Sequence, residues 1–278
     1  MAHCLNAAHL TTNKSLLSRD DVGRGEVAVL SLYFADARLW RYVLRGLSEF
    51  LDVVGIRLHP EEGLRIKAMD PSHVILVDFS IPKTAFDSYN VKKEELITIN
   101  LELAAKVLRR ATRNDKLYLE SDGTRLTLGL VSKGGVERYF IMPLLSQKFE
   151  EIPELSLELN SYAKIVGPVF ATAISILAKA GETLRITADK ESIRLASVSD
   201  LGEVEFEFST ATGTLVDYQP PDEEIVNNYS LEYIELLGNI AKLADMVTVK
   251  LGPEMPIEID MELSSGAQLK AYVAPRVE

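Results

Sequence analysis

Residues 56–79 read IRLHPEEGLRIKAMDPSHVILVDF, and residues 184–208 read LRITADKESIRLASVSDLGEVEFEF. With one single-residue gap the two stretches align. Ile56, Arg57 and Leu58 fall on Leu184, Arg185 and Ile186, and Leu64, Arg65 and Ile66 fall on Ile193, Arg194 and Leu195. Val77 and Phe79 fall on Phe206 and Phe208. Further along, Asp115, Leu117 and Leu119 match Asp245, Val247 and Val249. The shift of about 130 residues is far longer than the unit of a solenoid, so the chain holds two copies of one domain. A length of 278 residues independently suggests about two domains.

Within each copy, apolar and polar residues alternate over short runs such as Leu126, Leu128 and Leu130, the mark of half-buried strands. Turn signals separate the runs at Asp122-Gly123, Gly134-Gly135 and Gly252-Pro253. Helical periods are expected at about 36–51, 100–112, 168–180 and 230–244, with Pro168 in a first turn and Ser230 as an N-cap. The expected class is α+β, in two similar tandem domains of antiparallel sheets and helices. The expected organisation is a flexible tail at 1–27, a first domain at 28–142, a connector at 143–154 and a second domain at 155–278.

Composition sets the limits. Hydrophobic residues make up 47% of the chain, enough for a substantial core. Net charge is −11, which by itself argues against a phosphate-binding protein. The placement of the 30 Lys and Arg residues is therefore what matters. On a helical wheel Arg38, Arg41 and Arg45 share one side, opposite Leu39, Trp40, Val43 and Leu44. Lys106, Arg109, Arg110 and Arg113 likewise cluster opposite Leu101, Ala104 and Leu108. A solvated face would mix signs, with acids at i+4. These faces are largely of one sign, whereas acid collects at Glu61-Glu62, Glu150-Glu151 and Asp222-Glu223-Glu224. Such segregation fits a basic surface meeting phosphates and an acidic exterior. The corresponding helices of the second copy are poorer, offering Lys179 and Lys242.

At this point two motifs carry a resemblance. LRIKAMDPSHVILVDF (64–79) resembles the Met-Asp-x-Ser-His-Val segment of the PCNA family of sliding clamps, and LKAYVAPRVE (269–278) resembles that family's C-terminal end. The Ile152-Pro153-Glu154 connector and the internal repeat are also similar, so the likeness spans about 29–278. It implies a trimeric DNA polymerase processivity ring, in replication and repair, with sheets outside and helices lining the bore. By that resemblance Arg38, Arg41, Arg45, Lys106, Arg109, Arg110, Arg113, Lys179 and Lys242 face double-stranded DNA without regard to sequence. It also implies a pocket for client peptides at Met69, His73, Val74, Ile152, Pro256, Tyr272, Ala274 and Pro275. For Met69, Val74 and Ile152, ordinary core packing is the competing interpretation. Ring closure would pair edge strands at about 136–142 and 203–210, placing Arg138, Phe140, Glu203, Glu205, Phe206 and Glu207 at the subunit interface. The three carboxylates would select a partner bearing basic residues, Lys133 or Arg138 if the partner is a second copy, and reversing Glu205 and Glu207 should weaken assembly. The implied partners are copies of the chain or sister subunits, DNA polymerase, a clamp loader of the replication factor C type, flap endonuclease and DNA ligase.

Little points to catalysis. The single cysteine, Cys4, permits no internal disulfide and no cysteine metal site, and suits a reducing compartment. No histidine spacing offers a metal site, and phosphate-loop, dinucleotide and Gly-x-Ser-x-Gly motifs are absent. No cofactor, metal or enzymatic activity is expected. No apolar run reaches membrane-spanning length, and residues 1–27 lack the apolar core of a secretory signal. The expected location is the cytoplasm of an archaeon, at its nucleoid, or the nucleus of a eukaryote. Scarce glutamine (Gln147, Gln219, Gln268) is a weak sign of adaptation to heat. The competing function is a non-encircling subunit or scaffold of a replication or repair complex.

Overall fold

The computed structural model describes residues 28–147, 152–199 and 202–276. The expected tail at 1–27 and part of the expected connector therefore lie outside the described residues. The first copy runs β1 (Leu30–Phe34), α1 (Ala37–Leu47), β2 (Val53–His59), β3 (Gly63–Met69), β4 (Ile75–Pro82), β5 (Ser88–Val91), β6 (Glu95–Asn100), α2 (Leu101–Leu108), β7 (Asp115–Ser121), β8 (Arg125–Ser132) and β9 (Glu137–Pro143). The second repeats the order: β10 (Ser161–Val166), α3 (Gly167–Ala180), β11 (Thr183–Ala188), β12 (Ser192–Ser199), β13 (Gly202–Ser209), β14 (Leu215–Gln219), β15 (Ile225–Ser230), α4 (Leu231–Ala241), β16 (Ala244–Leu251), β17 (Ile257–Leu263) and β18 (Gln268–Val273).

The strands form three antiparallel sheets. One is β5-β1-β7-β8-β9, another is β13-β12-β11-β15, and the third runs β14-β10-β16-β17-β18-β4-β3-β2-β6. The nine-stranded sheet joins the copies. Its seam is the ladder from Gln268↔Ser80 to Val273↔Ile75, between β18 of one copy and β4 of the other. Leu269, Ala271, Val273, Ile75, Val77 and Phe79 are all buried along it, so one apolar core runs through both copies.

The ladders also correct the alignment read from sequence. The residue before each second helix, Asn100 or Ser230, sits opposite Val53 or Thr183. Ile56 therefore corresponds to Ile186, not Leu184. Ile66 faces Phe79 and Leu195 faces Phe206, so Phe79 corresponds to Phe206 and not Phe208. Both errors are slips of two residues. Side chains alternate with period two, so such a slip keeps every residue on its face and leaves no trace in a hydrophobic pattern.

Local chemistry explains the helices. Asp36 caps α1 by accepting the Arg38 N–H at 2.9 Å, and Asn100 caps α2 by accepting the Leu103 N–H at 2.8 Å. Pro168 lies in the first turn of α3. Ser230 occupies the N-cap of α4, but its hydroxyl makes no capping bond. α2 stops at Leu108, four residues short of the expected 112. The Asp115 carboxylate accepts both the Thr112 N–H and its hydroxyl at 2.8 Å, turning the chain into β7. Glycines bring neighbouring helices close. A Cβ on Gly46 would lie 3.1 Å from Leu236 of α4, and one on Gly238 would lie 2.9 Å from Ile174 of α3.

A repeated tyrosine ties the sheets of each copy together. On β5, the Tyr89 hydroxyl donates to the carbonyls of His59 and Gly63 at 2.9 and 2.8 Å, clasping the β2–β3 turn. On β14, Tyr218 donates to the carbonyls of Asp189 and Ser192 in the β11–β12 turn. Burial raises both hydroxyls to about 12. Unfolded tyrosine ionises near 10. The stabilisation is complete below pH ~10 and falls as pH rises to ~12, because over that window the unfolded chain has released protons that the fold retains. Urea titrations across this range should show falling stability. Replacing both tyrosines by Phe should flatten the fall and cost about 1 kcal/mol per site at neutral pH. An unchanged pH slope in the double variant would refute the assignment.

Candidate nucleic-acid and partner surfaces

The four helices form one layer, in which α1 packs on α2 and α4, and α4 packs on α3. Phe50, just past α1, meets Tyr233 of α4 edge-on at 6.1 Å. The apolar faces point toward the sheets, so the opposite side of the layer carries the polar residues. The cations assigned to DNA divide into two groups there. Arg38 is bound to Asp36 through Nη2 at 2.6 Å. Arg41 donates to the Ala111 carbonyl at 2.8 Å, capping the turn after α2. Lys106 pairs with Glu102 one turn back. Arg45, Arg109, Arg110 and Arg113 are exposed and have no ionic partner among the described residues. Arg110 and Arg113 stand beyond α2, so the wheel placed them by a helix that has already ended; they project from the turn instead. In the second copy Lys179 is exposed, while Lys242 donates to Asn239 at 2.7 Å.

At the edge of the seam, three stretches meet. Asp70 is buried, and its carboxylate accepts the N–H groups of Ser72, Val74 and Ile75 at 3.1, 2.7 and 2.8 Å. The Tyr233 hydroxyl also reaches it, at 3.3 Å. This fixes the turn in which exposed His73 takes a positive φ of 59°. The C-terminal stretch lies against that turn, with Ala274 N–H donating to the Val74 carbonyl and Arg276 N–H to the Asn228 carbonyl. The third stretch, the loop leading to Pro256, is held by two buried side chains. Asn227 donates to the Gly252 carbonyl and accepts the Glu254 N–H, and the Tyr229 hydroxyl donates to the Met255 carbonyl.

Between these stretches Met69, Leu76 and Tyr272 stand in one row across β3, β4 and β18. A cavity of about 590 Å³ opens beside the row, lined by Leu76, Tyr272, Arg65, Lys67 and Glu154 among others. Of the eight pocket residues assigned from sequence, only Tyr272 lines this cavity; Met69, Val74, Pro256, Ala274 and Pro275 are half-buried outside its lining. Leu76 was missed, although the alternation in HVILVDF places it on the face opposite Ile75 and Val77. The connector crosses at Glu154, which pairs with Arg65 at 2.7 Å and Lys67 at 3.1 Å, while Lys67 also donates to the Pro153 carbonyl. Those hydrogen bonds, from Arg65 and then Lys67, hold the Glu154 carboxyl below its ordinary range. Half-buried Ile152 precedes this anchor.

Like β5, β6, β14 and β15, the strands β9 and β13 stand at sheet edges with no further strand partner among the described residues. β9 exposes Phe140 (39%) and Ile141 (55%). Along β13, Glu203, Glu205 and Glu207 are exposed while Val204 and Phe206 are half-buried. Glu203 is paired within the chain to Arg185, and Arg138 lies 3.7 Å from Asp115.

Known proteins share this arrangement. The profile of the proliferating cell nuclear antigen N-terminal domain matches residues 29–138. DNA polymerase sliding clamp 3 of Aeropyrum pernix is 35% identical over 247 residues, covering 88% of this chain and 98% of that one. The chain belongs to the PCNA family of DNA polymerase sliding clamps. Sliding clamp 3 of Sulfurisphaera tokodaii is 33% identical, covering 87% of this chain and 98% of its own. Among solved structures, a PCNA2–PCNA3 complex from Sulfolobus tokodaii superposes with a TM-score of 0.81 at 32% identity, over 89% of this chain and 100% of that one. PCNA from Thermococcus kodakaraensis superposes with a TM-score of 0.79 at 25% identity, over 89% and 100%. The family's two-domain clamp fold is the fold described above.

Proposed function

We propose that this chain is one subunit of a ring that encircles duplex DNA and tethers replication and repair enzymes through the pocket at the seam. The observation that carries this reading is that β9 and β13, which correspond by the repeat to the seam strands β18 and β4, both stand at sheet edges among the described residues. Family membership supplies the processivity role, and the helix layer supplies a cationic face for phosphates. The clients would be DNA polymerase, flap endonuclease and DNA ligase, and a clamp loader of the replication factor C type would open the ring. No step of bond making or breaking is assigned to the chain. Retention on circular duplex DNA after loading, with release on linearisation, tests encirclement. Equal retention on both forms would sink it in favour of a non-encircling scaffold.

The contact with phosphates should rest on Arg45, Arg109, Arg110 and Arg113. Replacing all four by Ala should lower the slope of log K against log salt by about 3 to 4, at ~0.9 per lost phosphate contact. Arg38→Ala should leave the slope unchanged, because its guanidinium is already spent on Asp36.

A ring with sister subunits is the second reading, and the seam favours it. By the repeat, β9 corresponds to β18 and β13 to β4, so the seam register transfers to a contact between chains. Arg138 then faces Phe206, Phe140 faces Val204, and Tyr139 faces Glu205, while Glu137 falls opposite Glu207. Like charges directly opposite oppose strand pairing. The same register turns Arg138 toward the apolar side, so it does not answer Glu205 or Glu207 across the ladder. Two copies of this chain therefore fit each other less well than one copy fits a sister with a basic residue in place of Glu137. Contrary to the expectation from sequence, Glu207→Lys should strengthen self-association, and weaker self-association by light scattering would count against the transferred register.

A further inference from the structure

We infer that duplex DNA is held by the first copy alone, and that the second copy presents the DNA with a face that gives it no purchase. This rests on the proposed clamp function and concerns how contact is distributed along the helix layer. The layer runs α2, α1, α4, α3, and its character changes at the boundary between α1 and α4. On the first half stand Arg45, Arg109, Arg110 and Arg113, the four arginines with no ionic partner among the described residues. On the second half, α4 exposes Glu232, Glu235, Asn239 and Lys242, and α3 exposes Val169 (44%), Thr172 and Ile176 (43%) with Lys179 at its end. The two lysines are balanced by the two glutamates, and Lys242 is also tied to Asn239. Hydrocarbon and carboxylate offer nothing to a phosphate oxygen, whereas guanidinium groups meet it with paired N–H donors.

The two carboxylates repel phosphates that approach α4. Their effect is short-ranged, fading over a Debye length of about 8 Å at physiological salt. The duplex therefore settles against the arginine arc and is turned away from the neighbouring one. Around a ring, arcs that hold DNA would alternate with arcs that do not, which limits the number of phosphates gripped at once and leaves the duplex mobile.

The test is equilibrium binding of the full chain to a random-sequence linear duplex, in the assembled state the chain adopts alone or with its sister subunits, over a series of salt concentrations. Thermal unfolding of each variant confirms an intact fold. Removing Arg45 and Arg109 together should lower the salt slope by about 2. Removing Lys179 and Lys242 together should change affinity less than about twofold, with the slope unmoved. Glu232→Gln with Glu235→Gln should tighten binding about two- to fourfold at low salt, and the gain should vanish at high salt. The inference is overturned if the lysine pair matters as much as the arginine pair, or if neutralising both glutamates leaves affinity unchanged. If the unaltered assembly does not bind duplex DNA at all, the clamp reading itself fails and this inference with it.

Discussion

A chain carrying Phe140→Asp should be unable to close a ring, with the contact between subunits weakened by about 100-fold or more, the loss expected when a central aromatic anchor is removed. The seam explains why this side chain is decisive. Its counterpart there is Ala271, which is fully buried opposite Val77, and the transferred register sets Phe140 against Val204. A carboxylate at that point would be desolvated without a partner. The fold itself should tolerate the change, because Phe140 is 39% exposed within the single chain. Light scattering over a concentration series, with and without a sister subunit, reads the outcome. An oligomer of unchanged mass at all concentrations would place the subunit contact elsewhere.

The second large effect is expected at Asp70. Its buried carboxylate satisfies three N–H groups and a tyrosine hydroxyl at once. Asp70→Ala should destabilise the chain by about 3 kcal/mol, since it removes charge-assisted bonds and leaves buried donors unmet. It should also loosen the turn at 71–74, against which the C-terminal stretch lies, so binding of a client peptide should fall further than the stability loss alone predicts. Asp70→Asn keeps an acceptor and should recover part of both. Melting temperature and peptide affinity, measured on the same preparations, separate the two effects. A peptide affinity untouched by Asp70→Ala would show that the turn does not shape the pocket.

Asp70 also shows where sequence reading stops. The Met-Asp-x-Ser-His-Val motif marked this stretch, but the carboxylate's role depends on bonds that converge only after the turn has formed. The repeat and the strand alternation were legible, because burial writes them into the chain at every second residue. The two-residue slips were not, since only the hydrogen-bond ladder distinguishes Leu184 from Ile186 as the partner of Ile56. The basic faces of the helices were visible on the wheel, yet the internal engagement of Arg38 and Arg41 was not. A wheel shows which side a residue occupies and nothing of which neighbour claims it. Tyr89 and Tyr218 were available as a recurring pair 129 residues apart, and their shared task became evident only when each hydroxyl was traced to its turn.

The seam has a further consequence for how such a ring opens. Its two strands belong to one polypeptide, so each sees the other at an effective concentration set by the intervening chain, independent of how dilute the protein is. In the proposed ring, a contact between β9 and β13 would have no such tether and would be governed by mass action. Dilution, or a loader that prises strands apart, would then act on only half of the junctions around such a circle. The continuous polypeptide would confine every opening event of the proposed ring to the boundary between subunits, where strands could part and re-form without disturbing the core within each chain.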